Sequence, residues 1–368
     1  MGVKLRDIIL RSEIDLKQLK GSIIAIDGPN LLMNLLSFTI PANASTPNFY
    51  NQSNLIIDRT QRVISHLYGL LYRINFLYSK DILPIICFDG KVSPLKRKQT
   101  KDFLNDFRFA KRQYEKAIEN QNKQMAKKIA FSKEFLWPNV IYEAKQTLSA
   151  FGVPYINSPV SAESQCAYLV QEKFADYSNS QDYDSLLFGC PRMIQNLSKS
   201  LRRKVRGRWK YIKIIPSVIN LEDNLNSLKI SRFQLIDISI LVGTDYNEGV
   251  KGIGPKTGLK YIKKYGNLER LMKKERVNFE FDHLTPEMIK EIRKIFLFPE
   301  VISKFDDLLW NFPNQNRILY LFCEDHHLNR GRVSKFAENL EQNFESCLSY
   351  FQAMKDQPKM VQKTLLSY

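Results

Sequence analysis

Six acidic residues stand beside apolar runs in a chain that is otherwise strongly basic. Asp27 closes SIIAID and Asp89 closes ILPIICFD. Asp182 and Asp184 lie two apart in QDYDSLLFG, Asp245 follows the run LIDISILVG, and Glu163 falls in SPVSAESQCA at the head of an expected helix. In an extended backbone Asp182 and Asp184 point to one side. Carboxylates gathered at strand ends repel one another unless a divalent cation neutralises them. Hard oxygen donors with no Cys or His beside them select magnesium or manganese. Two such ions held close together support in-line phosphodiester hydrolysis. Taken singly, Asp27 reads as a turn former or helix cap, and Glu163 as a first-turn carboxylate favoured by the helix dipole. The set as a whole points to a metal-dependent enzyme that cleaves phosphate esters.

The elements that must position these acids follow from the apolar pattern. Residues 22–27 and 82–89 read as strands, each ended by Gly-containing turn chemistry. Continuous apolar strands belong to parallel sheets covered on both faces, where functional side chains collect beyond the carboxyl ends. Residues 57–77 read as an amphipathic helix, 43–57 as a polar loop, and the tail after about Lys355 as unstructured. The fold class is therefore α/β. Its 368 residues suit one large domain or two small ones.

The chain holds 55 Lys and Arg against 38 Asp and Glu, a net charge of +17, which favours a polyanionic partner. The excess is segmental. Residues 91–133 carry 13 basic and 4 acidic side chains and read as mostly helical, with no strong apolar face before Ile129. Residues 192–213 hold nine basic side chains and no acid, alternating like a hairpin around Gly207, and 251–264 hold five lysines around GIG. Such segments neutralise phosphates along a track. No uncharged apolar run reaches the roughly 18 residues of a membrane span, and charges interrupt any signal-peptide core near the start. Five cysteines without a CxxC pair fit a reducing intracellular compartment, the cytoplasm of a prokaryote or the nucleus of a eukaryote. The four histidines have no evident catalytic partner: His66 reads as a packing or capping residue of its helix, and His326 and His327 as surface residues.

With these motifs in hand, the sequence closely resembles the flap endonucleases of archaea and eukaryotes. The resemblance runs through MGV at the start, IAID (24–27), ISHLYGLLYR (64–73), FDGK (88–91), FGVPYINSP (151–159), SQDYDSLLFG (180–189) and LVGTDYNEGVKGIGPKTGLKYIKKYG (241–266). It implies a PIN-like 5′ nuclease fold with a central, mostly parallel sheet, a helical arch and a helix–two-turn–helix DNA-binding element. The implied regions are 1–105 and 136–266 for the nuclease, 106–135 for the arch, 267–355 for a C-terminal helical part and 356–368 for a tail. The implied activity is a structure-specific 5′ flap endonuclease with 5′–3′ exonuclease action, working in replication and base excision repair as a monomer. By the same resemblance, one magnesium ion leans on Asp89, Glu163 and Asp182, and a second on Asp182, Asp184 and Asp245, while Asp27 holds water nearby. Lys96 polarises the scissile phosphate. Gly252, Gly254 and Lys256 hold duplex phosphates with a potassium ion, and Gly2 and Arg73 lie near the duplex junction. Gln362, Leu365 and Tyr368 match a sliding-clamp peptide.

The chain departs from the family pattern in four places. The family pattern E-A-E-A-Q here reads Ser161-Ala162-Glu163-Ser164-Gln165, so one carboxylate is missing. Met33 stands where the family has a stacking tyrosine. Phe103 falls where an arch arginine is expected, with Arg108, Lys111 and Arg112 within reach along the helix. The 43–57 loop is longer than the usual connection. These departures keep a second reading open, a junction-binding paralogue with weakened or lost catalysis. A third reading shifts the substrate towards 5′ ends or RNA primers, and a remote fourth is an unrelated basic ribonuclease.

Overall fold

The run that ends at Asp27 lies inside a mixed sheet of seven strands. A computed structural model describes residues 2–37, 55–91, 103–197, 202–205, 208–211, 215–305 and 308–356. Lys96, most of the 43–57 loop and the tail residues Gln362, Leu365 and Tyr368 lie outside the described residues. In chain order the strands are β1 (Ser12–Glu13), β2 (Ile23–Asp27), β3 (Leu83–Phe88), β4 (Tyr155–Asn157), β5 (Tyr177–Asn179), β6 (Arg192–Gln195), β7 (Arg202–Val205), β8 (Arg208–Tyr211) and β9 (Ser217–Asn220). The sheet order is β1-β9-β6-β5-β2-β3-β4. From β6 to β4 every pair is parallel, while β9 and β1 add an antiparallel edge. β7 and β8 pair separately, Val205 opposite Arg208, as the hairpin expected around Gly207.

This order creates a switch point. The chain leaves β2 to one side to form β3 and β4, then returns to the other side to form β5 and β6. Crevices at such points, beyond the carboxyl ends, are where open α/β sheets place their sites. Side-chain alternation does the rest. Ile24, Ile26, Ile86 and Phe88 join one core, packed under α1 (Gly28–Ser37), α2 (Ser65–Tyr78), α3 (Phe103–Glu119), α4 (Lys123–Ala130) and α5 (Lys133–Ala150). Ala25, Ile85 and Cys87 face the other core, under α6 (Ala162–Gln171), α7 (Asp184–Leu187), α8 (Leu221–Leu228), α9 (Arg232–Val242), α10 (Pro255–Tyr265), α11 (Leu268–Glu275) and α12 (Pro286–Leu297). Asp27 and Asp89 share the parity of Ala25 and Cys87, so they fall on the α6 side. Two further helices, α13 (Gln315–Leu319) and α14 (Arg330–Asp356), close the first core, α14 through Leu340 and Phe344.

Three local expectations are corrected. The helix expected over 57–77 begins only at Ser65. The Asp58 carboxylate accepts from the Thr60 and Arg62 amides at 2.8 and 2.9 Å, and Ile57 pairs with Val63 in an antiparallel bridge. This local bonding gives the backbone an alternative to the helical ladder. The basic stretch does have an apolar face before Ile129: Ala110, Tyr114, Ala117 and Ala126 are buried between α3, α4 and α5. Its small alanines make the stripe faint in sequence. Asp182 and Asp184 are not on a strand, because the chain bends at 181–183 and Asp184 opens α7.

Candidate active site

Four neighbouring strand ends deliver acids to one place. Asp27 is the last residue of β2 and Asp89 the first beyond β3. Glu163 lies in the first turn of α6, after β4, and Asp182 and Asp184 follow β5. Each has at least one oxygen engaged by a protein donor. The Asn30 amide donates to Asp27 Oδ1 at 3.1 Å and Asn30 Nδ2 to Asp182 Oδ2 at 3.2 Å. The Val3 amide donates to Asp184 Oδ1 at 3.0 Å, and the Ala162 amide to Asp89 Oδ1 at 2.8 Å. Asp89 thereby caps α6 from a neighbouring strand, while the N-cap residue Ser161 makes no cap bond with its own hydroxyl.

Ser180 Oγ lies 3.2 Å from Asp27 Oδ2 and 3.0 Å from Glu163 Oε1. One hydroxyl hydrogen serves two carboxylates. Burial, then the charges of Asp89 and Asp182, push the Asp27 carboxyl up to about 7. Burial, then Asp184, Asp27 and Asp182, hold Glu163 well above the usual carboxylate range. The charges acting most strongly on both are other carboxylates. Among the described residues no three His, Cys, Asp or Glu side chains are arranged to enclose one ion, so the acids form an open array. The donor set suits a hard divalent cation: it is carboxylate oxygen throughout, and a cation relieves the repulsion that raises Asp27 and Glu163.

Asp245 occupies the turn after α9, closed by Thr244 Oγ1 donating to Asn247 Oδ1 at 2.7 Å and Asn247 Nδ2 donating to the Ile240 carbonyl at 2.8 Å. Gly2 is pressed onto the site: a Cβ there would stand 2.4 Å from Asp182 Cβ. Its lack of a side chain lets the backbone at Gly2 lie against the acid. Arg73, on α2, is half-buried with no ion pair among the described residues, and burial lowers it to about 10. A partly desolvated guanidinium suits a phosphate.

Gly254 caps α10 with an ordinary φ of −94°, and a Cβ there would meet nothing within 4 Å. Packing does not require glycine at this position, and its openness leaves the first amides of α10 accessible to an anion. Pro255 occupies the first turn, Gly252 has a φ of 86°, and the exposed Lys256 follows. Met33 is half-buried on α1. Ser161 lines a pocket of about 140 Å³ with Ser164, Tyr246 and Lys294.

One charged cluster escaped the sequence reading. His326, expected on the surface, is buried with Nδ1 at 2.9 Å from Asp58 Oδ2. Arg62 bonds Asp58 at 3.1 Å and Asp325 at 2.9 Å, and Glu143 lies 3.0 Å from His66 Nε2. Asp58 and His326 are 268 positions apart, so no local motif announces the contact.

Comparison with known proteins agrees with this architecture. The XPG N-terminal domain matches residues 1–113 and the XPG I-region matches 152–245. A Flap endonuclease 1 of Nanoarchaeum equitans is 38% identical, covering 100% of this chain and 99% of that one. One of Archaeoglobus fulgidus is 37% identical, covering 93% and 96%. The solved flap endonuclease-1 from Methanococcus jannaschii superposes with a TM-score of 0.68 at 29% identity, over 94% of this chain and 99% of that one. The catalytic core of Rad2 with a DNA substrate shares the fold at a TM-score of 0.65 and 21% identity, over 92% and 100%. The fold is thus the PIN-like α/β nuclease fold that the motifs implied. The chain belongs to the flap endonuclease family.

Proposed function

We propose that this protein is a structure-specific 5′ flap endonuclease, with 5′–3′ exonuclease action, that cuts DNA at single-strand/duplex junctions in replication and base excision repair. The observation that carries the reading is the convergence of Asp27, Asp89, Glu163, Asp182 and Asp184 from four strand ends, with Asp27 and Glu163 raised by burial and then by the charge of neighbouring acids. Two magnesium ions, or manganese, held by Asp89, Glu163, Asp182, Asp184 and Asp245 supply Lewis-acid stabilisation of the phosphoryl transition state and water of lowered pKa. Ser180 fixes the orientation of Asp27 and Glu163, and Asp89 ties the start of α6 to β3. Arg73 and the α10 amides with Lys256 grip duplex phosphates on either side of the junction, with potassium as the expected companion at Gly252 and Gly254. Lys96 contacts the scissile phosphate.

The tail residues Gln362, Leu365 and Tyr368 tether the enzyme to a sliding clamp in this reading, and the compartment is intracellular. Among the described residues no helix is long and apolar enough to cross a membrane. The alternative of a junction binder without catalysis is less favoured, since one missing carboxylate at Ser161 leaves the rest of the acidic array in place.

The test is single-turnover cleavage of an end-labelled double-flap DNA in magnesium, alongside binding in calcium. Magnesium-dependent release of the intact flap supports the reading. Tight binding without cleavage in excess magnesium or manganese replaces it with the junction binder.

A further inference from the structure

Asp182 sits on irregular backbone. Asp27 ends a strand, and Glu163 and Asp184 lie in the first turns of helices, whereas Asp182 falls in the bend at 181–183, where no ladder of hydrogen bonds fixes it. Its charge is also among those that raise Asp27 and Glu163. Like charge favours rotamers that turn Asp182 away from the other acids.

An opposing hold comes from the ends of β2 and β6, the strands that flank β5 in the sheet. On α1, which follows β2, Asn30 Nδ2 donates to Asp182 Oδ2 at 3.2 Å, and Asn30 Oδ1 accepts the Gln181 amide at 3.3 Å. At the end of β6, the buried Gln195 donates through Nε2 to the Gln181 carbonyl at 2.9 Å. The Asp182 amide closes the bend on Ser180 Oγ at 3.2 Å. Chemistry fixes which way the Asn30 side chain points. A carboxylate only accepts and a backbone N–H only donates, so Nδ2 must face Asp182 and Oδ1 must face Gln181. Asn34 Nδ2 donates to the same Oδ1 at 3.0 Å and keeps it there.

We propose that Asn30 is a positioning residue for metal binding: its side-chain amide holds Asp182 toward the other acids in the ion-free protein, so that an arriving ion meets a carboxylate already in place. Asn30 acts through Asp182 and not on the substrate, and its role rests on the flap-nuclease reading. A single donated hydrogen bond leaves lone pairs on both Asp182 oxygens for an ion. It also spares the ion the ordering of one acid against its neighbours, and loss of such an outer partner lowers metal affinity about 10- to 100-fold.

The experiment measures the melting temperature of the DNA-free protein in chelator and through a magnesium titration, alongside the magnesium dependence of single-turnover flap cleavage. Asn30→Ala removes the hold, and Asn30→Leu removes it while keeping a side chain of similar shape at this half-buried position. Both variants should need about 10- to 100-fold more magnesium to reach a given thermal shift above their own chelator value. The half-saturating magnesium concentration for cleavage should rise by a similar factor, with excess magnesium restoring most of the rate. A merely structural role lowers the melting temperature in chelator and leaves both magnesium dependences unchanged, and that result in the two variants overturns the proposal. So does a cleavage rate that falls by the same factor at every magnesium concentration. An unaltered protein that gains no stability from magnesium and cuts no flap overturns the functional reading instead, so the two failures are distinct.

Discussion

Two of the clusters of buried charge among the described residues are built on opposite principles. At the strand ends, carboxylates gather against their own kind, and burial together with like charge raises Asp27 and Glu163. Between the turn at 58–62, α5 and the residues after α13, acids and bases interleave. Burial alone would raise the Asp58 carboxyl, but hydrogen bonds from His326 and Thr60 and the charge of Arg62 hold it below its ordinary value. The second cluster is a staple that joins distant parts of the chain and pairs Asp58 and Asp325 with Arg62 from within. The first is left to be neutralised from outside. Burial of an aspartate therefore has different consequences in the two places: Asp27 is raised where its neighbours are acids, and Asp58 is lowered where they are His326, Thr60 and Arg62.

The comparison predicts opposite responses to similar substitutions. The largest effect belongs to Asp184→Asn, which keeps an acceptor for the Val3 amide while removing a charge. Its cleavage rate should fall by about 10²–10³-fold or more while flap binding in calcium persists. Strong residual cutting would sink the ligand assignment. In the staple, Asp58→Asn should leave flap chemistry alone and cost about 3 kcal/mol of stability, read as a lower denaturant midpoint. Because the folded pKa of Asp58 lies below its unfolded value, its stabilising share is present above the ordinary aspartate range and lost as pH falls through the folded value. The unaltered protein should therefore lose stability on acidification more steeply than Asp58→Asn.

Smaller effects test the edges of the acidic site. Ser161→Glu restores the missing carboxylate and should tighten apparent magnesium affinity by about tenfold, seen as a lower half-saturating magnesium concentration for cleavage. No change would mean that the pocket beside Tyr246 turns position 161 away from the metals. Lys256→Glu should weaken duplex binding and reduce the salt slope by roughly one. An unchanged slope would remove Lys256 from the phosphate contacts.

Much of the acidic site is legible in sequence because its signals are local. An apolar run ending in aspartate marks both a strand and its carboxyl end, and the alternation that buries Ala25 and Cys87 fixes the face on which Asp27 and Asp89 emerge. The QDYD pair is gathered with the other acids, but not on the strand that its spacing suggested. Its convergence comes from a bend and the start of α7, held by Val3 and Asn30 from distant segments. The staple is invisible for the complementary reason. Asp58, Arg62, Glu143 and His326 are ordinary residues in their own neighbourhoods, and only the tertiary fold makes them partners. The α3 face is faint because alanines bury little apolar area and carry little weight in a hydropathy pattern.

The most direct test of the contrast is the melting temperature of Glu163→Gln and Asp58→Asn, each measured in chelator and in magnesium. Glu163→Gln relieves repulsion, so in chelator it should melt above the unaltered protein, and Asp58→Asn should melt below it. Magnesium at about a hundred times its dissociation constant should stabilise the unaltered protein and Asp58→Asn alike by roughly 2.7 kcal/mol, and Glu163→Gln by clearly less. A Glu163→Gln that is destabilised in chelator and gains as much from magnesium as the unaltered protein would contradict the account, because the acids at the strand ends would then be paired from within like those of the staple.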